Sequence, residues 1–78
     1  MTDRRSVTFF RTPASMAFPD GRLLASVGGI GYVLAADGWI RFGATLPISV
    51  IELSRSGAED WCERQGWDLG LLDAAYGL

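Results

Sequence analysis

Tyr32-Val33-Leu34-Ala35-Ala36-Asp37-Gly38-Trp39-Ile40-Arg41-Phe42 sets an Asp-Gly pair between two apolar, partly alternating runs. Alternation at a period of two puts successive side chains on opposite faces of a strand. Asp-Gly is favoured where both central residues of a two-residue loop need positive φ, so the stretch predicts a β-hairpin with a type I′ turn at Asp37-Gly38.

Strand signals continue upstream of the hairpin. Ser6-Val7-Thr8-Phe9-Phe10-Arg11-Thr12 is rich in β-branched and aromatic residues, stops at Pro13 and reads as a strand. Leu23-Leu24-Ala25-Ser26-Val27 is a second, shorter apolar run. Between them Phe18-Pro19-Asp20-Gly21 predicts a tight turn, since Pro presets one φ and Gly accepts the positive φ that ends it. Gly28-Gly29-Ile30-Gly31 has the look of a phosphate-binding loop, but such loops feed a helix N-terminus and here a strand follows. A bulge or loop between strands fits it better.

Downstream, Ile48-Ser49-Val50-Ile51-Glu52-Leu53 alternates and reads as a strand, although Pro47 could instead open a helix. Ser56-Gly57-Ala58-Glu59 has the spacing of a capping box, so the next helix is expected to start at Ser56. Ala58, Trp61, Cys62 and Gln65 then share a core face, with Glu59, Asp60 and Glu63 opposite and Gly66 as the stop. Asp68 is placed to cap a last short helix over Leu69, Leu72 and Tyr76. The fold class expected is therefore α+β: a small antiparallel sheet of three to five strands, with one or two C-terminal helices packed on one face. Residues 1–78 are expected to form a single domain with a thin core.

Composition restricts the function. Hydrophobic residues make up 49% of the 78, which is a folding composition, not one of disorder. No apolar run approaches the roughly 20 residues of a membrane span, and the first residues lack the pattern of a signal peptide. A secreted domain this small would ordinarily need disulfides, so the single cysteine points to the cytoplasm. All seven basic residues are Arg, with no Lys, His or Asn anywhere, as expected of a GC-rich bacterial or phage gene. Residues 1–44 carry five Arg against three acids, whereas residues 45–78 carry two Arg against six. A nucleic-acid binder would show a basic stripe, so direct DNA or RNA binding is not expected.

Nor is a catalytic centre. Without His the commonest general base and metal ligand is missing, and without Lys there is no Schiff base or phosphate-binding lysine. Cys62 falls on the core face, where a cysteine is ordinarily an inert small hydrophobe. The carboxylates follow no EF-hand spacing, so neither metal nor cofactor is expected. Gly38-Trp39 through Trp61-Cys62 and Trp67-Asp68 is faintly similar to the MbtH-like partners of peptide synthetases, but lacks their Ser-Leu-Trp-Pro segment, and the chain is assigned to no family.

A binding protein is what these observations leave. Glu59 and Glu63 repel each other at i,i+4, a cost that a cationic partner would relieve. Trp67, just past the helix stop, is the tryptophan expected to be exposed, and Trp is enriched at binding hot spots. Glu59, Asp60, Glu63, Trp67 and Asp68 are accordingly the candidate contact residues, facing a protein with a basic surface. The expected function is a small non-enzymatic inhibitor or regulator in the style of phage-encoded inhibitors, anti-CRISPR proteins included. A structural or accessory subunit of a larger bacterial or phage assembly is the alternative.

Overall fold

The computed structural model describes residues 7–43 and 49–78. It contains a five-stranded antiparallel sheet in the order β4-β3-β2-β1-β5, followed by two helices. The strands are β1 (Val7–Arg11), β2 (Leu23–Val27), β3 (Ile30–Ala35), β4 (Gly38–Gly43) and β5 (Ile51–Leu53), and the helices α1 (Arg55–Gln65) and α2 (Gly70–Ala75). The α+β class, the antiparallel sheet and the two C-terminal helices are as the sequence predicts. Ile48 and Pro47 lie outside the described residues; the part of their run that is described is strand only over Ile51–Leu53.

Register explains the core. Phe9 pairs with Ala25 and Leu53, so Phe9, Leu23, Ala25, Val27 and Leu34 share one face with Tyr32, Trp39 and Leu53. Ala58, Trp61 and Cys62 of α1 and Leu72 and Ala75 of α2 close over that face. On the other face Ile40, Val33, Leu24 and Phe10 stand in one row across four strands, with Glu52 at its end on β5. Leu24 is only 4% exposed although neither helix lies on that side, which accounts for β2 being an apolar run instead of an alternating one.

The hairpin is present, but its turn is not where the dipeptide put it. Ala35 pairs with Gly38, so the two loop residues are Ala36 and Asp37, and neither has positive φ. Gly38 begins β4 with φ 144. The signature of a type I′ turn occurs instead at Gly28-Gly29, with φ 58 and 84, joining β2 to β3 as Val27 pairs with Ile30. Two consecutive glycines meet that requirement at no steric cost, whereas Asp37 would have had to enter the left-handed region. A register shift at Gly31/Tyr32 leaves Phe42 without a partner opposite, and its ring lies over Gly31, where a Cβ would come within 2.5 Å of Phe42 Cζ.

Helix α1 begins two residues earlier than the Ser56 capping box predicts. Ser54 is the N-cap, its hydroxyl accepting from the Gly57 N–H at 3.1 Å. Leu53 and Ala58 flank this start and belong to the same core, which fixes how the chain leaves β5 and enters the helix. Past the helix, Gly66 takes φ 73. Its N–H donates to Glu63 O at 3.1 Å and the Trp67 N–H to Cys62 O at 2.9 Å, the paired bonds of a Schellman stop.

A pinned loop beside an aromatic cleft

The segment between β1 and β2 is the longest described connection, and backbone hydrogen bonds give it shape. The Thr12 N–H donates to Arg22 O at 3.0 Å and the Arg22 N–H to Thr12 Oγ1 at 2.7 Å, which closes the loop at its base. The Gly21 N–H donates to Phe18 O at 2.8 Å, so the predicted Phe18–Gly21 turn is formed, with Gly21 at φ 71. At the tip the Ser15 N–H donates to Phe18 O and the Phe18 N–H to Ser15 Oγ.

Two side chains of α1 hold this loop against the body. Trp61 donates its indole N–H to the Asp20 carbonyl at 3.0 Å, and Gln65 donates Nε2–H to Asp20 Oδ2 at 3.0 Å. Trp67, swung back by the Schellman stop, packs edge-on against Trp61 with ring centroids 5.3 Å apart. Between loop and helix lies a cleft of about 180 Å³, lined chiefly by Phe18, Trp61 and Trp67, with Leu34 of the core and with Asp20, Arg22 and Gln65. Met16 is fully exposed and Phe18 is 44% exposed.

The candidate residues are thus dispersed, not gathered. Trp67 is half-buried and forms part of the cleft, in place of the freely exposed ring expected. Glu59 is drawn aside: Arg55 Nε lies 3.1 Å from its Oε2, and Arg55 Nη2 also reaches Asp73 Oδ1 at 2.8 Å, joining α1 to α2. The repulsion between Glu59 and Glu63 is therefore compensated at Glu59, and Glu59 takes no part in capping. Because Arg55 is the first helical residue, the earlier start is what sets it one turn before Glu59. Asp60 and Glu63 are exposed, as predicted. Asp60 borders a shallow depression that it shares with Arg11 and Arg64, and so sits among cations. Asp68 is exposed, and its Oδ1 accepts from the Gly70 N–H at 2.9 Å at the start of α2, close to the capping role expected of it.

Phe18, Asp20, Arg22 and Gln65 form a group that no pattern along the sequence announces. The Phe18–Gly21 turn was visible, but its docking onto α1 depends on contacts across more than half of the chain.

Cys62 is buried, and burial pushes its thiol pKa up, opposed only in part by the charge of Arg55. A thiol held in that state is a poor nucleophile. Among the described residues, no helix is long and apolar enough to cross a membrane. Comparison with protein-family models, curated proteins and solved structures finds no match.

Proposed function

We propose that this chain is a non-enzymatic, cytoplasmic protein-binding module that inhibits or regulates its partner, and that its contact surface is the mouth of the Phe18–Trp67 cleft. One observation carries the reading. Met16 and Phe18 are held out in solvent by a loop that is hydrogen-bonded both to itself and to α1. Exposed apolar side chains on a pre-ordered loop lose little conformational entropy on association, and aromatics in such a setting are typical binding anchors. The lack of His and Lys, with the one thiol buried, supports a role that ends at binding.

The exposed Asp60 and Glu63 on the outside of α1 make a rival contact surface for a basic partner. Tagged wild type, Phe18→Asp and Glu63→Arg can be compared for capture of partners from a GC-rich bacterial lysate at two salt concentrations. A partner kept by Glu63→Arg and lost by Phe18→Asp supports the cleft. Loss with Glu63→Arg, together with strong salt sensitivity, would move the contact to the acidic face.

An assembly subunit is the second reading, favoured by the exposure of Ile40, Phe42 and Ile51 at the two sheet edges. Sedimentation separates the two: a regulator runs as a folded, discrete species by itself, whereas a subunit self-associates or aggregates.

A further inference from the structure

The polar groups around the cleft are unequally committed. The Trp61 indole N–H is given to the Asp20 carbonyl, and the Gln65 amide to the Asp20 carboxylate. The backbone of Arg22 is held at Thr12. The Arg22 guanidinium keeps all its donors unspent, as the Trp67 indole keeps its one: Arg22 lies over the Phe18 ring at 4.7 Å, and among the described residues no carboxylate comes within ion-pairing distance of it. Stacking on an aromatic ring pre-orders the planar fork, which matches a carboxylate in a two-bond geometry. The whole cleft, at about 180 Å³, has room for one large side chain, since a cavity of roughly 150 Å³ holds a benzene ring.

We propose that the cleft receives an apolar, preferably aromatic, side chain of a protein partner that bears a carboxylate beside it, with Phe18, Trp61 and Trp67 enclosing the side chain and Arg22 binding the carboxylate. A C-terminal aromatic residue supplies both groups in one unit. The occupant is a protein segment, not a free small acid, because the exposed part of Phe18 at the cleft, and Met16 two residues earlier on the same loop, present apolar surface that a ligand confined to the cleft would not cover. Asp20 also lines the cleft and keeps its negative charge, since the Gln65 amide that engages one of its oxygens is neutral. Arg22 is the charged residue of the cleft whose side chain has no hydrogen bond to the described residues, and so has donors to offer a carboxylate. This proposal rests on the reading of the cleft as the contact surface and adds the chemistry of what enters it.

The test uses the ¹⁵N-labelled protein and follows the indole N–H resonances of Trp61 and Trp67. The probes are acetyl-Ala-Ala-Phe as the free acid, the same peptide amidated, phenylpropionate and phenethylamine. The free-acid peptide is expected to bind roughly ten-fold more tightly than the amide, as a charge-assisted hydrogen bond at a partly exposed site would give. Arg22→Gln should bring acid and amide to equal affinity, and Trp67→Ala should weaken both. Equal binding of acid and amide to the wild type would overturn the carboxylate preference while leaving the cleft as a contact surface. Tighter binding of phenethylamine would assign recognition to Asp20, and phenylpropionate matching the peptide would remove the protein occupant. If no probe shifts either tryptophan, this proposal and the reading beneath it fail together.

Discussion

Trp61 donates its indole N–H to the carbonyl of Asp20, a residue 41 positions earlier in the chain, at 3.0 Å. The bond joins the middle of α1 to the loop between β1 and β2, and it does so from a ring that is itself almost wholly buried. One buried side chain thereby both packs the helix on the sheet and supplies one of the two ties between loop and helix.

Trp61→Phe keeps an aromatic ring but leaves the Asp20 carbonyl without its donor, a change that costs about 1 kcal/mol. The sharper expectation is local: trypsin should cut after Arg22 faster than in wild type, because the loop has lost one of its two ties to α1. Trp67→Phe, which removes no such bond, is the control. Equal protease resistance in Trp61→Phe and wild type would show that the bond does not order the loop.

The two candidate serines make opposite predictions at the start of α1. Ser54→Ala should lower stability by about 0.5–2 kcal/mol, the ordinary cost of losing an N-cap oxygen. Ser56→Ala, at an exposed position inside the helix, should leave the thermal midpoint close to that of wild type or raise it slightly. If the losses come in the reverse order, the helix starts at Ser56 after all.

Glycines 21 and 57 should respond with opposite signs. A Cβ at Gly57 would meet only Leu53 and Ser54 atoms at 3.5 to 3.6 Å, ordinary contact distances, so Gly57→Ala should stabilise by roughly 0.5–1 kcal/mol. A Cβ at Gly21 would run into the Thr12 carbonyl, and φ 71 would add strain of roughly 1–3 kcal/mol. Chemical denaturation of the two variants checks both, and a stable Gly21→Ala would mean that the base of the loop is not closed as described.

Cys62 gives an alkaline signature. Its folded pKa is raised by burial, so the folded state keeps its proton after the unfolded thiol has begun to ionise near about 8.5. The stabilisation is complete below that value and declines as pH rises beyond it, because the unfolded chain then binds fewer protons. Wild type should therefore lose more stability than Cys62→Ala between neutral and alkaline pH. Thiol reagents should label native Cys62 slowly and denatured protein quickly; rapid native labelling would refute its burial.

Local signals were legible wherever one backbone requirement had one solution. The Phe18–Gly21 turn, the Gly66 stop and the core trio Ala58, Trp61 and Cys62 all occur as read. Errors arose where two nearby residues offered the same chemistry. Ser56 has the better sequence motif, but the exit from β5 through Leu53 makes Ser54 the cap. Asp37-Gly38 has the better dipeptide, but pairing of Ala35 with Gly38 moves the turn back by one residue. The expected unrelieved repulsion between Glu59 and Glu63 is absent for a related reason: the earlier helix start brings Arg55 beside Glu59 and Asp73. The cleft was not legible, since no pattern along the chain relates Asp20 to Trp61 and Gln65.

Setting β1 between β2 and β5 also divides the sheet by order of assembly. Strands β2, β3 and β4 are joined by two-residue turns and can pair on the microsecond scale of hairpins. Strand β5 reaches β1 only when Phe9 meets Leu53 across most of the chain, and that ring closure is the entropically expensive one. Helix α1 follows immediately after β5, so its descent onto Phe9 and Leu34 belongs to the same late event. One wall of the cleft is α1 and the other is the loop that α1 holds down. The cleft is therefore the last feature this chain assembles as it folds and the first it surrenders: a partly loosened molecule would keep its hairpins, yet lose α1, with its helical circular dichroism, and the surface proposed for binding.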